Sequence, residues 1–230
     1  MCYCAHSMEA FRLIVQVKAY LIFEQIKVYR RYYRKGAFAL SDLFLSLSYF
    51  FSNPYRICRK CMEKRGEGAV HAYGETPLTT MEKMAKSFGI TPSDRWLELG
   101  SGRGRASLWM AQFWGCQVRG VEWVPRFVRK AIWIVKLLRI KRVEFQRISM
   151  LDTDFSWPTV IYLYGTCMDD REIEALLARM ETLPKGAKVI SISEPLNHPS
   201  YRIVQSISVS FPWGETDATL QIKEAIASKD

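Results

Sequence analysis

The 230-residue sequence has no stretch of about 20 apolar residues free of charge, which is what a membrane-spanning helix requires. Residues 11–29 are apolar but interrupted by Arg12, Lys18 and Glu24. Residues 37–51 cover only roughly 15 positions, carry Asp42 and stop at Asn53-Pro54. No second Cys-x-x-Cys and no His pair accompanies Cys58-Arg-Lys-Cys61, and Cys2-Tyr-Cys4 lies far upstream, so no recognised zinc spacing is complete and no metal is expected. No cleavable secretory signal precedes the six cysteines, Cys2, Cys4, Cys58, Cys61, Cys116 and Cys167, in a chain too large to need disulfide staples. A reducing compartment, the cytoplasm, is therefore expected. Acidic charge is short in two blocks: residues 1–68 hold 12 Lys/Arg against 5 Asp/Glu, and residues 103–147 hold 11 against 2. Such surfaces favour an anionic partner, either a membrane headgroup layer or a nucleic-acid-containing complex; a solvated basic face with no partner is the alternative. At 49% hydrophobic the chain can bury one domain core plus an appendage, which excludes a disordered tail.

What is present centres on Asp-Arg-Trp-Leu-Glu-Leu-Gly-Ser-Gly-Arg-Gly, residues 94–104. The apolar run predicts a strand over 95–99, the stretch 107–115 predicts a helix, and three glycines two apart form the turn between them. Glycine there admits positive φ and lets backbone approach a ligand, and the following helix offers free N–H groups at its start. A dinucleotide site wants G-x-G-x-x-G, with pyrophosphate on the helix N-terminus. Gly100, Gly102 and Gly104 instead give G-x-G-x-G, with Glu98 two residues before the first glycine. An acid at a strand end suits the cationic amino-acid end of S-adenosyl-L-methionine. A second strand, 118–122, ends in Glu122, where a carboxylate can accept both ribose hydroxyls. An ordinary strand-to-helix turn is the bland alternative for the first motif alone; two acids ending successive strands are much rarer by chance.

The N-terminal segment, residues 1–68, reads as helical. Over 11–29 the polar Gln16, Glu24, Lys27 and Arg31 fall near one stripe at helical spacing, and Tyr29-Arg-Arg-Tyr-Tyr-Arg-Lys35 follows. Two placements are open: a peripheral position in a headgroup layer with aromatics and Lys/Arg at the interface, or packing on the catalytic domain as a lobe. Small residues over 66–73 predict a hinge before a domain of residues 69–230.

In that domain Tyr73-Gly74-Glu75-Thr76-Pro77 leads into a helix through Met81, Met84, Ala85 and Phe88, ended by Gly89. The leading loop is placed to lie across the pocket; more blandly, Thr76 caps the helix and Pro77 opens it. Trp123 follows the acid, where an aromatic covers an adenine face or simply packs. Residues 125–138 form an amphipathic helix, 143–149 a strand, and 150–158 its exit loop. A buried strand over 159–164 breaks at Gly165-Thr166-Cys167, helix 169–182 and strand 188–193 follow, and strands 206–210 and 218–222 flank Pro212-Trp213-Gly214. This alternation predicts an α/β fold with a doubly wound, mostly parallel sheet whose site lies at the carboxyl ends of the strands.

The order Glu98-x-Gly-x-Gly-x-Gly, Glu122, Val-Ile-Tyr-Leu-Tyr164-Gly165 resembles a class I, seven-strand S-adenosylmethionine-dependent methyltransferase over roughly residues 70–225. Tyr73-Gly-Glu-Thr76, Leu99-Gly-Ser-Gly-Arg-Gly104 and Lys188-Val-Ile-Ser-Ile-Ser-Glu-Pro-Leu-Asn197 are similar to the histone lysine methyltransferase family typified by the disruptor of telomeric silencing. The resemblance implies a protein-lysine acceptor, a loop of Tyr73, Glu75 and Thr76 over the methionine end, Glu98, Gly100, Ser101, Gly102 and Gly104 below it, and Glu122 on the ribose. Ser149-Met150 stands where the superfamily usually has an acid on the adenine amino group. Adenine contacts then fall to Ser149, Met150 and Trp123, or to Asp152 after a loop shift. Tyr164-Gly165 stands where the family has an Asn-Asn pair lining the acceptor channel, and these two are the expected acceptor-site residues. A small-molecule or lipid acceptor, or a binding module without catalysis, stays open beside the protein acceptor.

Overall fold

The computed structural model describes residues 2–64, 73–165 and 168–224, with side chains from residue 12 onward. The expected hinge falls mostly outside the described residues, as does Cys167.

Three helices come first: α1 (Cys2–Tyr32), α2 (Gly36–Ser48) and α3 (Pro54–Glu63). Asn53 starts α3 by accepting the Tyr55 N–H at 2.9 Å, with Pro54 in the first turn, where a missing N–H costs nothing. Helix α4 (Leu78–Ser87) leads into β1 (Arg95–Leu99). Helix α5 (Arg105–Trp109) continues into a π-helical turn, Met110–Trp114, that Gly115 closes at φ 98°. Then follow β2 (Gln117–Val121), α6 (Pro125–Leu137), β3 (Val143–Gln146), β4 (Val160–Leu163), α7 (Asp170–Arg179), β5 (Lys188–Ile192), β6 (Tyr201–Phe211) and β7 (Gly214–Lys223). A capping box opens α7: Asp169 accepts the Glu172 N–H at 2.8 Å, and Glu172 accepts the Asp169 N–H at 3.0 Å.

The seven strands form one sheet in the order β3-β2-β1-β4-β5-β7-β6; β7 runs antiparallel to β5 and β6. The expected mostly parallel, doubly wound sheet with an N-terminal helical appendage is therefore present. The chain reverses strand order between β1 and β4, the switch point at which such sheets open a crevice beyond their carboxyl ends. The terminal hairpin is longer than expected because most of β6 from Arg202 to Ser206 faces solvent and lacks an apolar run.

The N-terminal helices pack on this sheet domain. Val28 and Tyr32 of α1 and Phe38 and Leu45 of α2 share a buried cluster with Trp109, Phe127 and Trp96. Tyr32 stands edge-on to Trp109 and Phe113, with ring centroids 5.4 and 4.9 Å away. Glu24 accepts the Thr79 N–H at 3.0 Å and its hydroxyl at 2.7 Å, which caps α4 from a distant helix. Cys58 is buried in the same cluster; among the described residues no three His, Cys, Asp or Glu side chains gather to hold a metal.

Candidate active site

The cleft at the carboxyl ends of β1 and β4 is built on the glycine turn. Gly100, Gly102 and Gly104 all take positive φ, between 54° and 83°. The N–H groups of Gly100 and Ser101 both donate to the Val121 carbonyl, at 2.9 and 2.8 Å, so the turn is pinned to the end of β2. The next residue, Glu122, is thereby brought under it: one carboxylate oxygen accepts the Gly102 N–H at 2.8 Å and the other the Val124 N–H at 2.7 Å. Gly102, which lines the cleft, and Glu122 are thus direct hydrogen-bonded neighbours. A Cβ on Gly102 would come within 3.2 Å of the Tyr73 ring, a tight contact at a positive φ of 54°, so glycine lets Tyr73 sit this close without strain. Gly104 serves packing instead, because a Cβ there would sit 2.5 Å from the Phe145 ring.

Glu98 lies in the cleft with 6% exposure and accepts a short hydrogen bond from Ser107. Burial pushes its carboxyl up to about 8; the Ser107 hydroxyl lowers it, and Glu75 and Glu122 raise it further. Burial also raises Glu122, against the backbone N–H groups it accepts. Ser101 faces the cleft with a buried hydroxyl that has no protein partner.

The loop before α4 crosses the opening. Gly74, Glu75 and Thr76 line the cleft, and the Thr76 hydroxyl meets the Tyr162 hydroxyl of β4 at 2.5 Å. Thr76 therefore bonds across the cleft; the helix begins at Leu78, with Pro77 in the capping position. Tyr73 packs on Tyr55 and Phe127, each 5.2 Å away, and its hydroxyl donates to Glu75. Arg103 grips Glu75 with two bonds of 2.5 and 2.6 Å. Burial alone would raise the Glu75 carboxyl, but Arg103 brings it below its usual value. Arg105 also lines the cleft, held from α2 by two bonds to Asp42 at 2.7 and 2.9 Å. Arg103, Arg105, Ala106 and Tyr162 were not among the expected residues. The only local trace of the two arginines is their position flanking the third glycine.

At the mouth, Tyr164 stands against Gly74, where a Cβ would come within 3.2 Å of its ring. Phe211 lies 5.0 Å away, Trp213 stacks on Phe211 at 5.4 Å, and the Trp213 N–H donates to the Tyr164 hydroxyl at 2.8 Å. Gly165 packs against Leu163 and Met168. Trp123 is 36% exposed just beyond β2. Ser149 starts a 3-10 turn, Met150–Asp152, by accepting the Leu151 N–H at 3.2 Å, and Met150 packs against a separate core cluster that includes Leu97, Leu99 and Val121. Tyr73, Glu122, Trp123, Ser149, Met150, Gly104 and Gly165 lie outside the ring of residues that lines the cleft; Tyr73 and Glu122 reach it through their contacts with Gly102.

These residues fit S-adenosylmethionine. Glu98 offers a carboxylate to an ammonium, and Glu122 retains lone pairs beyond the two backbone bonds it accepts. The orphaned Ser101 hydroxyl lacks only a ligand to bond.

No curated protein sequence matches the chain. An RNA methyltransferase from Salinibacter ruber, solved with S-adenosyl-L-homocysteine, is 23% identical with a TM-score of 0.57, over 68% of this chain and 97% of that one. The putative methyltransferase yhhF from Escherichia coli is 15% identical with a TM-score of 0.54, over 66% and 90%. A mutant of MtNAS in complex with S-adenosylmethionine is 11% identical with a TM-score of 0.53, over 64% of this chain and 62% of its own length. At these identities the likeness is one of fold. The model of the family described as histone methylation protein DOT1 matches residues 60–210, and the chain belongs to that family.

Proposed function

We propose that this protein, an S-adenosylmethionine-dependent methyltransferase by fold and family, N-methylates the lysine side chain of a protein substrate. When bound, the cofactor supplies a methyl group on a sulfonium, already a good leaving group, so the protein needs no nucleophile of its own. Its task is to hold and orient the reactants, an effect worth on the order of 7 to 11 kcal/mol in well-aligned reactions. Glu98 takes the ammonium end, Glu122 the ribose hydroxyls, and Gly100, Ser101 and Gly102 the backbone floor. Gly104 keeps the turn seated on β3. Tyr73, Glu75 and Thr76 close the cleft against water, braced by Arg103 and Tyr162. The family resemblance assigns Trp123, Ser149 and Met150 to the adenine side.

The observation that carries the acceptor reading is Tyr164 lining the cleft, backed by the buried Phe211 ring and bonded by the half-exposed Trp213. A lysine must attack as the neutral amine, and an apolar wall disfavours its ammonium form and lowers its pKa. Tyr164 and Gly165, at the tip of β4, are the acceptor-site residues. The basic blocks support a substrate presented by an anionic assembly, with the enzyme cytoplasmic and peripheral to a membrane, or held on a nucleic-acid-containing complex.

The test is transfer of radiolabelled methyl from the cofactor into cell extract. Label in protein, recovered as methyl-lysine after hydrolysis and lost with Tyr164→Ala while cofactor still binds, supports the reading. Label in the organic extract or in nucleic acid overturns the lysine acceptor.

A further inference from the structure

Helix α2 is apolar on both of its sides, and only one side is covered. Phe38, Ser41, Asp42 and Leu45 face the domain; Asp42, the only charged residue in the 36–53 stretch, is turned inward and spent on Arg105. Leu40, Leu43 and Leu47, at i, i+3 and i+7, lie on the opposite side and are 45%, 48% and 57% exposed. The chain leaving the helix adds Phe50 and Phe51, 76% and 95% exposed and in edge contact with each other. A helix that is apolar all round belongs in a protein interior or against lipid. This one lies on the surface.

Helix α6 continues that surface. It packs beside α2, with Phe44 edge-on to Trp133 at 6.1 Å, and Arg126 donates to Ser52 at 2.7 Å. Its outward face presents Trp133 and Leu137, each about half exposed. Arg126, Arg129 and Lys136 are exposed beside them, and residues 125–142 contain no acid. On the described residues of α2 and α6 the patch is therefore a run of leucine, phenylalanine and tryptophan whose exposed charges are all cations. A second copy of the chain would bring the same cationic rim against itself, and like charges facing across an interface cost several kcal/mol. An anionic headgroup layer neutralises that rim, and its acyl boundary accepts the leucines and aromatics. No described helix is long and apolar enough to cross a bilayer, so contact of this kind is with its surface.

We propose that the outer face of α2, with Phe50, Phe51, Trp133 and Leu137, docks on an anionic lipid bilayer. Phe50 and Phe51 enter the acyl boundary, and Arg129 and Lys136 meet the headgroups. The docking face sits on the same helix whose inner face holds Arg105 in the cleft, so the bilayer fixes the orientation of the active site above it.

The test is retention of the full chain on vesicles, read without any methyl acceptor and so independent of which acceptor the enzyme uses. Vesicles containing one quarter phosphatidylglycerol are expected to retain the protein, and vesicles of phosphatidylcholine alone to retain far less, with retention falling as salt rises. The double variant Phe50→Ser/Phe51→Ser is expected to partition at least about tenfold more weakly, since each ring withdraws a large apolar area from water. Cofactor binding by that variant confirms its fold, because both residues are exposed. Arg129→Gln/Lys136→Gln is expected to lose the preference for anionic vesicles. Absence of retention on anionic vesicles overturns the proposal. So does equal retention of the phenylalanine variant, or a dimer in sedimentation that this variant abolishes.

Discussion

The proposed assignment of Glu98 to the cofactor's ammonium makes cofactor binding a proton-linked event. Its carboxyl is raised to about 8 by burial, with Glu75 and Glu122 adding to the shift and Ser107 opposing it. At pH 7 about one molecule in ten carries the carboxylate, and at pH 6 about one in a hundred. An ammonium needs that carboxylate, so the apparent affinity is reduced by the competent fraction. The dissociation constant of S-adenosylmethionine is expected to weaken roughly fivefold from pH 8 to pH 7 and roughly tenfold more from pH 7 to pH 6. Titration calorimetry across this range, in two buffers of different ionisation enthalpy, reads both the constant and the proton released on binding. Glu98→Gln is expected to bind weakly at every pH, with a flat profile and no Glu98 proton. For the apo protein the sign is opposite. The folded-state value lies above the unfolded one, so this group's stabilisation is full below about 4.5 and is lost as pH rises through about 8. A dissociation constant unchanged between pH 6 and pH 8, or binding without proton release, refutes the assignment of Glu98 to the ammonium.

Three further outcomes follow from the packing. Asp42→Ala strands Arg105 in the cleft wall and is expected to cost about 3 to 5 kcal/mol in urea unfolding, while Asp42→Leu/Arg105→Met recovers most of that loss. Gly104→Ala places a methyl 2.5 Å from Phe145 at φ 83°, with an expected cost of about 1 to 3 kcal/mol. Phe145→Ala in that background relieves the clash but leaves the backbone strain, so a double-mutant cycle in denaturant separates the two. Thr76→Val leaves the buried Tyr162 hydroxyl unpaired and is expected to cost about 1 to 3 kcal/mol, with weaker cofactor binding. Adding Tyr162→Phe is expected to restore most of the stability, which thermal unfolding of the three variants checks.

Features that repeat at short range are legible in the amino-acid order. The glycine trio, the acids closing two successive strands and the alternation of strand and helix periods are local patterns, and they placed Glu98, Gly102 and Glu122 at one end of one sheet. The loop of residues 73–77 was legible for the same reason, since it directly precedes α4 and β1. The partners that complete the site come together through folding. Arg105 meets Asp42 across 63 residues of chain and Thr76 meets Tyr162 across 86, and no periodicity encodes a pair at that separation. The same limit applies to Gly104: its spacing reads as part of a ligand turn, yet its missing side chain makes room for Phe145. Composition left the N-terminal helices between a packed lobe and a membrane-facing surface. The fold turned Asp42 inward and Leu40, Leu43 and Leu47 outward, because burial of a helix face is settled by the surface it meets.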